Sequence, residues 1–175
     1  MHLRNTVVGL ALAGALLSGC SSEGAAPSAS SKDASSDAAA SAAKSDVLTA
    51  RQAVMALKKY VPELQLVQDY TEADDPNHLL GRPGGYTSKA AFSDGRVPSE
   101  DIEGLDKDAA ERGGSVEVFK TSEEAKARAK YIATIAESLP GATEYHYIAG
   151  GILVRVSRLL TPTQAADYEE GARHF

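Results

Sequence analysis

Gly113-Gly114-Ser115-Val116-Glu117-Val118-Phe119 and, 37 residues later, Gly150-Gly151-Ile152-Leu153-Val154-Arg155-Val156 are the two stretches that decide the fold. Each opens on a glycine pair and then places apolar side chains at every second position, the pattern of a half-buried strand. Each runs into a helix start. After the first, Thr121 and Glu124 form a capping box. After the second, Thr161-Pro162-Thr163-Gln164 supplies an N-cap Thr, Pro at the first helical position and Gln two residues further on.

Working outward, each stretch reads as the second strand of a β-β-α unit. Residues 86–93 supply the first strand of one unit. Glu144–Ala149 supplies that of the other, joined to its partner by a tight Gly150-Gly151 hairpin in which glycine provides the positive φ. The helix after Thr121 is expected to run to about residue 139, with Ala125, Ala129, Ile132, Ala136 and Leu139 on its apolar face. The last helix places Ala165, Tyr168 and Ala172 on one side. An N-terminal helix is expected over 50–60, capped by Thr49 and Gln52, with Val54, Leu57 and Val61 inward and Pro62 as its stop. Residues 64–67 fit either a short strand or a connection, and 96–112 read as a charged surface loop. Two such units predict an α+β fold in two layers: a four-stranded antiparallel sheet, both unit helices on one face, and the additional N-terminal helix packed alongside.

The composition changes near residue 46. Residues 21–44 contain no aromatic and no large aliphatic side chain, only Ser, Ala, Gly, Pro, Asp, Glu and Lys. Such a stretch cannot bury enough apolar surface to offset its conformational entropy, so a disordered tether is expected. Ahead of it, Arg4 precedes an apolar run over 7–17. That run is too short to span a bilayer, which needs about 20 residues, and fits a secretory signal. Leu17-Ser18-Gly19-Cys20 then resembles the lipobox of bacterial lipoproteins. The resemblance implies cleavage before Cys20 and a diacylglyceryl thioether on its sulfur, and it accounts for the single cysteine of the chain. The expected organisation is a lipoprotein signal peptide over 1–19, lipidated Cys20 and its tether over 20–45, and one α+β domain over 46–175. The partner so implied is the cell membrane itself, held through the lipid at its extracytoplasmic face.

Charge narrows the other partners. The formal net charge is -6, and loss of residues 1–19, which hold Arg4 and no acid, takes it to -7. Nucleic acid is a poor fit, because phosphate binding needs clustered Lys and Arg.

The segment 74–89 is the candidate site. It gathers Asp74, Asp75, His78, Arg82 and Tyr86 in a glycine- and proline-rich connection feeding a strand, and long loops on rigid scaffolds often bind ligands. The plainer alternative is that Pro76, Pro83 and the glycines only shape a connection, plugged into the core by Leu79 and Leu80. The run 81–85 lacks the ending of a phosphate loop, and Asp74, Asp75 and Asn77 lack the spacing of a calcium loop. His78, His146 and His174 show no zinc-ligand spacing, so no metal and no cofactor is expected. No nucleophile motif is present, and Glu123-Glu124 and Glu169-Glu170 point apart on their helices. Tyr86, Tyr145 and Tyr147 are a further feature: on one sheet face they would make a recognition surface or cover the core edge. The run Asp75-Pro76-Asn77-His78-Leu79-Leu80-Gly81-Arg82-Pro83-Gly84-Gly85-Tyr86-Thr87-Ser88, with the Ala- and Ser-rich composition, resembles small surface lipoproteins of high-GC Gram-positive bacteria. That resemblance carries no activity and no catalytic residue. The expected function is a non-enzymatic binding module for a protein, peptide or envelope component. The alternatives are a small envelope enzyme using His78 with Asp74 or Asp75, and an accessory subunit of a surface complex.

Overall fold

The computed structural model describes residues 48–175. The signal peptide expected over 1–19, Cys20 and the tether expected over 20–45 lie outside the described residues. All three capping boxes form. Thr49 Oγ1 accepts from the Gln52 N–H, Thr121 Oγ1 from Glu124 and Thr161 Oγ1 from Gln164, and each partner side chain accepts in return from the N-cap N–H. They start helices α1 (Ala50–Leu57), α2 (Ser122–Ser138) and α3 (Pro162–Ala172). Helix α1 ends three residues before the expected 60, because the N–H groups of Lys59 and Tyr60 reach back only three residues, to Ala56 and Leu57, and tighten the last turn ahead of Pro62.

The sheet has five strands where four were expected: β1 (Leu64–Asp69), β2 (Ser88–Asp94), β3 (Gly113–Val118), β4 (Glu144–Ala149) and β5 (Ile152–Ser157), all antiparallel, in the order β1-β2-β3-β5-β4. The added strand is the ambiguous stretch at 64–67. Its register against β2 shifts between Leu66 and Gln68, and a bulge there breaks the alternation that a sequence pattern needs. The Gly150-Gly151 hairpin closes as expected, with Ala149 opposite Ile152 and Gly150 at φ 54°.

The two-layer arrangement is corrected to three. Val116, Val118, Ile152, Val154 and Val156 face a core shared with Val54 and Leu57 of α1 and Tyr168 of α3. Leu153 and Phe119 face the other way, against Ala125, Ala129 and Ile132 of α2. The two unit helices therefore lie on opposite faces of the sheet. Phe119, directly after β3, turns toward α2, whereas Leu159 and Leu160, in the turn past the end of β5, both pack on the side of α1 and α3. The chain thus leaves the two strands toward opposite faces. Leu139, expected on the buried face of α2, is exposed beyond its last turn.

Two glycines mark close approaches. Gly114 has φ 148°, and a Cβ there would strike the Arg155 carbonyl and the Phe92 ring. Gly171 lies in the last turn of α3. A Cβ there would come within 2.8 Å of Leu57, so the small residue lets α3 pack on α1. Phe92 and Tyr168 stack at 5.3 Å between ring centres, and the Tyr168 hydroxyl donates to Asp94 Oδ2 at 2.7 Å. Arg96 closes on Asp94 and Asp167 together, which pins α3 to the end of β2.

Leu153 separates the two arrangements. Under three layers it is fully buried against α2, and Leu153→Ala is expected to cost about 2–5 kcal/mol in urea unfolding. A change within about 0.5 kcal/mol, as at an exposed site, would return α2 to the face of α1 and α3.

Candidate functional site

The predicted site residues separate in the fold. Asp75 and Tyr86 are fully buried, while Asp74, His78 and Arg82 are exposed. The Asp75 carboxylate organises the segment. It accepts from the Leu79 N–H at 2.8 Å, the Leu80 N–H at 3.1 Å, the Tyr86 hydroxyl at 2.6 Å and Lys89 Nζ at 3.1 Å. Burial alone would raise its pKa, yet these donors outweigh burial and hold it well below the usual carboxylate range. Lys89 is buried with it, and lies 4.5 Å from the centre of the Tyr70 ring. Burial lowers the Lys89 pKa, and Asp75 opposes that shift.

Asp74 plays a local part. Its Oδ1 accepts from the Thr71 N–H at 2.5 Å and the Thr71 hydroxyl at 2.9 Å, closing a turn, and these bonds lower its pKa. His78 stands at φ 52°, and its own N–H donates to the Asp75 backbone carbonyl. The imidazole is not among the partners of either carboxylate, so the pairing that an acid–base reading needs is not assembled here. Tyr86 lies on the α2 side of the sheet, packed edge-on to Phe119, whereas Tyr145 and Tyr147 line the opposite face. The three tyrosines do not share a surface.

A second set of residues, not singled out in the sequence, extends from this hub. On the α2 face of the sheet Lys89 lies opposite Glu117 on the neighbouring strand. The Glu117 carboxylate is fully buried. It accepts from Arg128 Nε at 2.9 Å and from Arg155 Nη1 at 2.8 Å. Arg155 in turn clasps Glu144 through Nε at 2.8 Å and Nη2 at 2.7 Å, and His146 Nε2 lies 3.3 Å from the same carboxylate. Asn77 joins the two sets. Its amide oxygen belongs on the side facing Arg128 Nη2, at 3.2 Å, and Lys89 Nζ, at 3.1 Å. A row of alternating charge thus runs from Asp75 to Glu144 beneath α2, with His146 at its end. The legible signal was there: Glu117 between two valines, Arg155 between two valines, and opposite charges on the face away from the apolar one.

Above this row opens a cleft of about 780 Å³ between α2 and the 77–84 loop. Leu79, Phe119, Ile132 and Ile135 supply apolar wall, and Asn77, Arg128, Arg155 and Glu144 bring polar atoms to it. Tyr131 stands at the rim, 59% exposed, with the Arg128 guanidinium 5.7 Å from its ring. The volume lies within the range of small-ligand and peptide pockets, and an apolar lining with a few convergent polar groups is their usual chemistry. Compared with protein-family models, with curated proteins and with solved structures, the chain matches none. The chemistry of the cleft therefore rests on its own residues.

Glu144 gives the charged row a pH signature. Burial pushes its pKa up, but the hydrogen bonds from His146 and Arg155 prevail and bring it from 4.5 down to about 2. A carboxyl with a depressed folded-state pKa stabilises fully above its unfolded value and loses that contribution as pH falls through the folded one. The stability difference between wild type and Glu144→Gln, followed by urea unfolding, is expected to shrink as pH falls from 4.5 to about 2. A difference that does not change over that window would remove the ion pair as its source.

Proposed function

We propose that the chain is a lipid-anchored, extracytoplasmic binding module, non-enzymatic, whose α2 cleft takes a protein, peptide or envelope component. The observation that carries the binding half is the cleft itself: apolar walls left partly open to solvent, over a floor whose charges are already paired. Paired guanidinium and carboxylate groups are poor acids and bases but good positioning groups, since their side chains are locked by bidentate contacts. Exposed Tyr131 and Ile135 at one rim supply the rigid apolar contact that recognition surfaces favour. The observation behind the anchoring half is the Leu17-Ser18-Gly19-Cys20 sequence and the apolar run before it.

This reading moves the contact surface from the tip of the 74–89 loop to its cleft-facing side. Asn77 and Leu79 line the cleft, whereas His78 and Arg82 do not. Asp75 and Tyr86 act beneath, by holding the loop in place.

Two measurements test the proposal. Envelope components are captured on the full chain and on two double variants. Tyr131→Asp/Ile135→Asp is expected to lose a partner that His78→Ala/Arg82→Ala retains. The reverse pattern would return the site to the loop tip, and capture unaffected by either would remove both surfaces. Separately, Cys20→Ser is expected to abolish labelling by an alkyne-bearing palmitate analogue and to shift the chain out of the membrane fraction. Membrane association unchanged in Cys20→Ser would end the lipoprotein reading.

A further inference from the structure

We infer that β4 is a docking edge for an extended peptide segment of a partner, added to the sheet as a sixth strand and carrying basic side chains. This surface goes beyond the α2 cleft. The helix residues that line the cleft, Arg128, Tyr131 and Ile135, and those beside β4, Ala133, Ala136 and Glu137, lie on different flanks of α2.

The hydrogen-bonding pattern fixes which backbone groups are free. The Phe119 N–H donates to the Gly151 carbonyl at 2.7 Å. Residues 151, 153 and 155 therefore direct their backbone groups to the β3 side, and 152, 154 and 156 direct theirs to β4. Their partners on β4 are Ala149, Tyr147 and Tyr145. The N–H and C=O groups of His146 and Ile148 consequently point out of the sheet along its open side. Such a row of donors and acceptors matches an extended backbone and little else.

The two sheet edges differ. At β1 the register shift after Leu66 twists the edge, and Asp74 and Lys107 both hydrogen-bond to the Gln68 side chain. Bulges and charged side chains of this kind are how edges are blunted. At β4 the pairing with β5 runs unbroken through six residue pairs. There is no proline, lysine or bulge in the strand, and Ile148 is 38% exposed.

A groove lies on each side of this edge. One, of about 340 Å³, is bounded by Ala133, Ala136, Ala142 and Glu137. The other, of about 350 Å³, is bounded by Tyr147, Ala172, Glu169 and Arg173. Successive side chains of an added strand point to opposite faces and would enter the two grooves in turn. Charge selects the occupant. Glu137 is exposed beside one groove, and at the other half-buried Glu169 and exposed Glu170 share the one cation Arg173, so acid outnumbers base on both sides of the edge. Lys or Arg on the incoming strand offsets these acids. A second copy of the chain would instead bring acid against acid across the pairing, which is unfavourable.

The test uses the full chain and an acetylated, amidated Val–Lys peptide, Val-Lys-Lys-Val-Val-Lys, about six residues long to match a strand and with lysine on both of its faces, and a Val–Glu peptide of the same pattern as the counterpart. The Val–Lys peptide is expected to slow amide exchange at His146 and Ile148 by about tenfold or more, and the Val–Glu peptide to leave it unchanged. Ile148→Pro removes one outward N–H without touching the β4–β5 ladder and is expected to abolish the effect. Should that variant not fold, Glu137→Lys/Glu169→Lys, which changes no buried side chain, is expected to reverse the preference between the two peptides. Protection appearing at β1 or in the cleft, equal response to both peptides in every variant, or no binding at all would overturn the proposal. So would self-association through β4 that the Val–Lys peptide fails to compete away, which would make a second copy the occupant.

Discussion

The Glu117 carboxylate, buried in the middle strand of the sheet, is the constraint on which the rest of this structure depends. An isolated charge in such a position is prohibitively costly, so it must be met by cations with good geometry. Arg155 meets it from the next strand and Arg128 from the helix above. That requirement fixes where α2 crosses the sheet and how far along it Arg128 must fall. Because Arg155 also clasps Glu144, the same requirement reaches the outermost strand, and through Asn77 it reaches the Asp75 hub beneath the loop. Replacing a whole buried network with apolar side chains is often neutral, whereas removing one member is costly. The row therefore acts mainly on register: it distinguishes one seating of α2 and the loop from neighbouring ones that bury similar apolar area.

The cleft is a consequence of that seating. The loop is held down by Asp75 and Tyr86, α2 is held across by Arg128, and the space between them is left unfilled because neither can move toward the other without breaking an ion pair. The opposite face is built differently. There α1 and α3 close over valines, Phe92 and Tyr168, with Gly171 allowing the two helices to touch. One face of the sheet is a packed core and the other is a core with a gap over a polar floor.

Local signals were legible in the sequence and long-range ones were not. The three capping boxes, the Gly150-Gly151 hairpin and the alternation of β3 and β5 are each decided within a few residues, and each appears as expected. Strand β1 was legible only as a stretch that fits either a short strand or a connection, since its bulge interrupts the period by which strands are read. The layer order was not legible either. It turns on the face toward which the chain leaves each strand, and the likeness of the stretches at 113–119 and 150–156 suggested that their helices would dock alike. The two stretches repeat a local signal and not a geometry. Within the segment 74–89, residue types alone could not separate Asp75, which builds the loop, from Asp74, which closes one turn. Glu117, Arg128, Arg155 and Glu144 come from four different elements, and only the fold brings them together.

The pairing of β3 with β5 has a kinetic side. The hairpin of β4 and β5 closes over two residues, and hairpins of that kind form within about 1–10 μs. Helix α2 needs only its cap and its neighbours. The contact that unites the halves, Val118 opposite Ile152 and onward to Gly114 opposite Val156, must instead close a loop that contains the whole of α2. Contacts of such long sequence separation dominate the folding time of mixed α/β domains. The pairing at the centre of the sheet therefore belongs to the slower steps of folding, and it is the step that also brings Glu117 to Arg155.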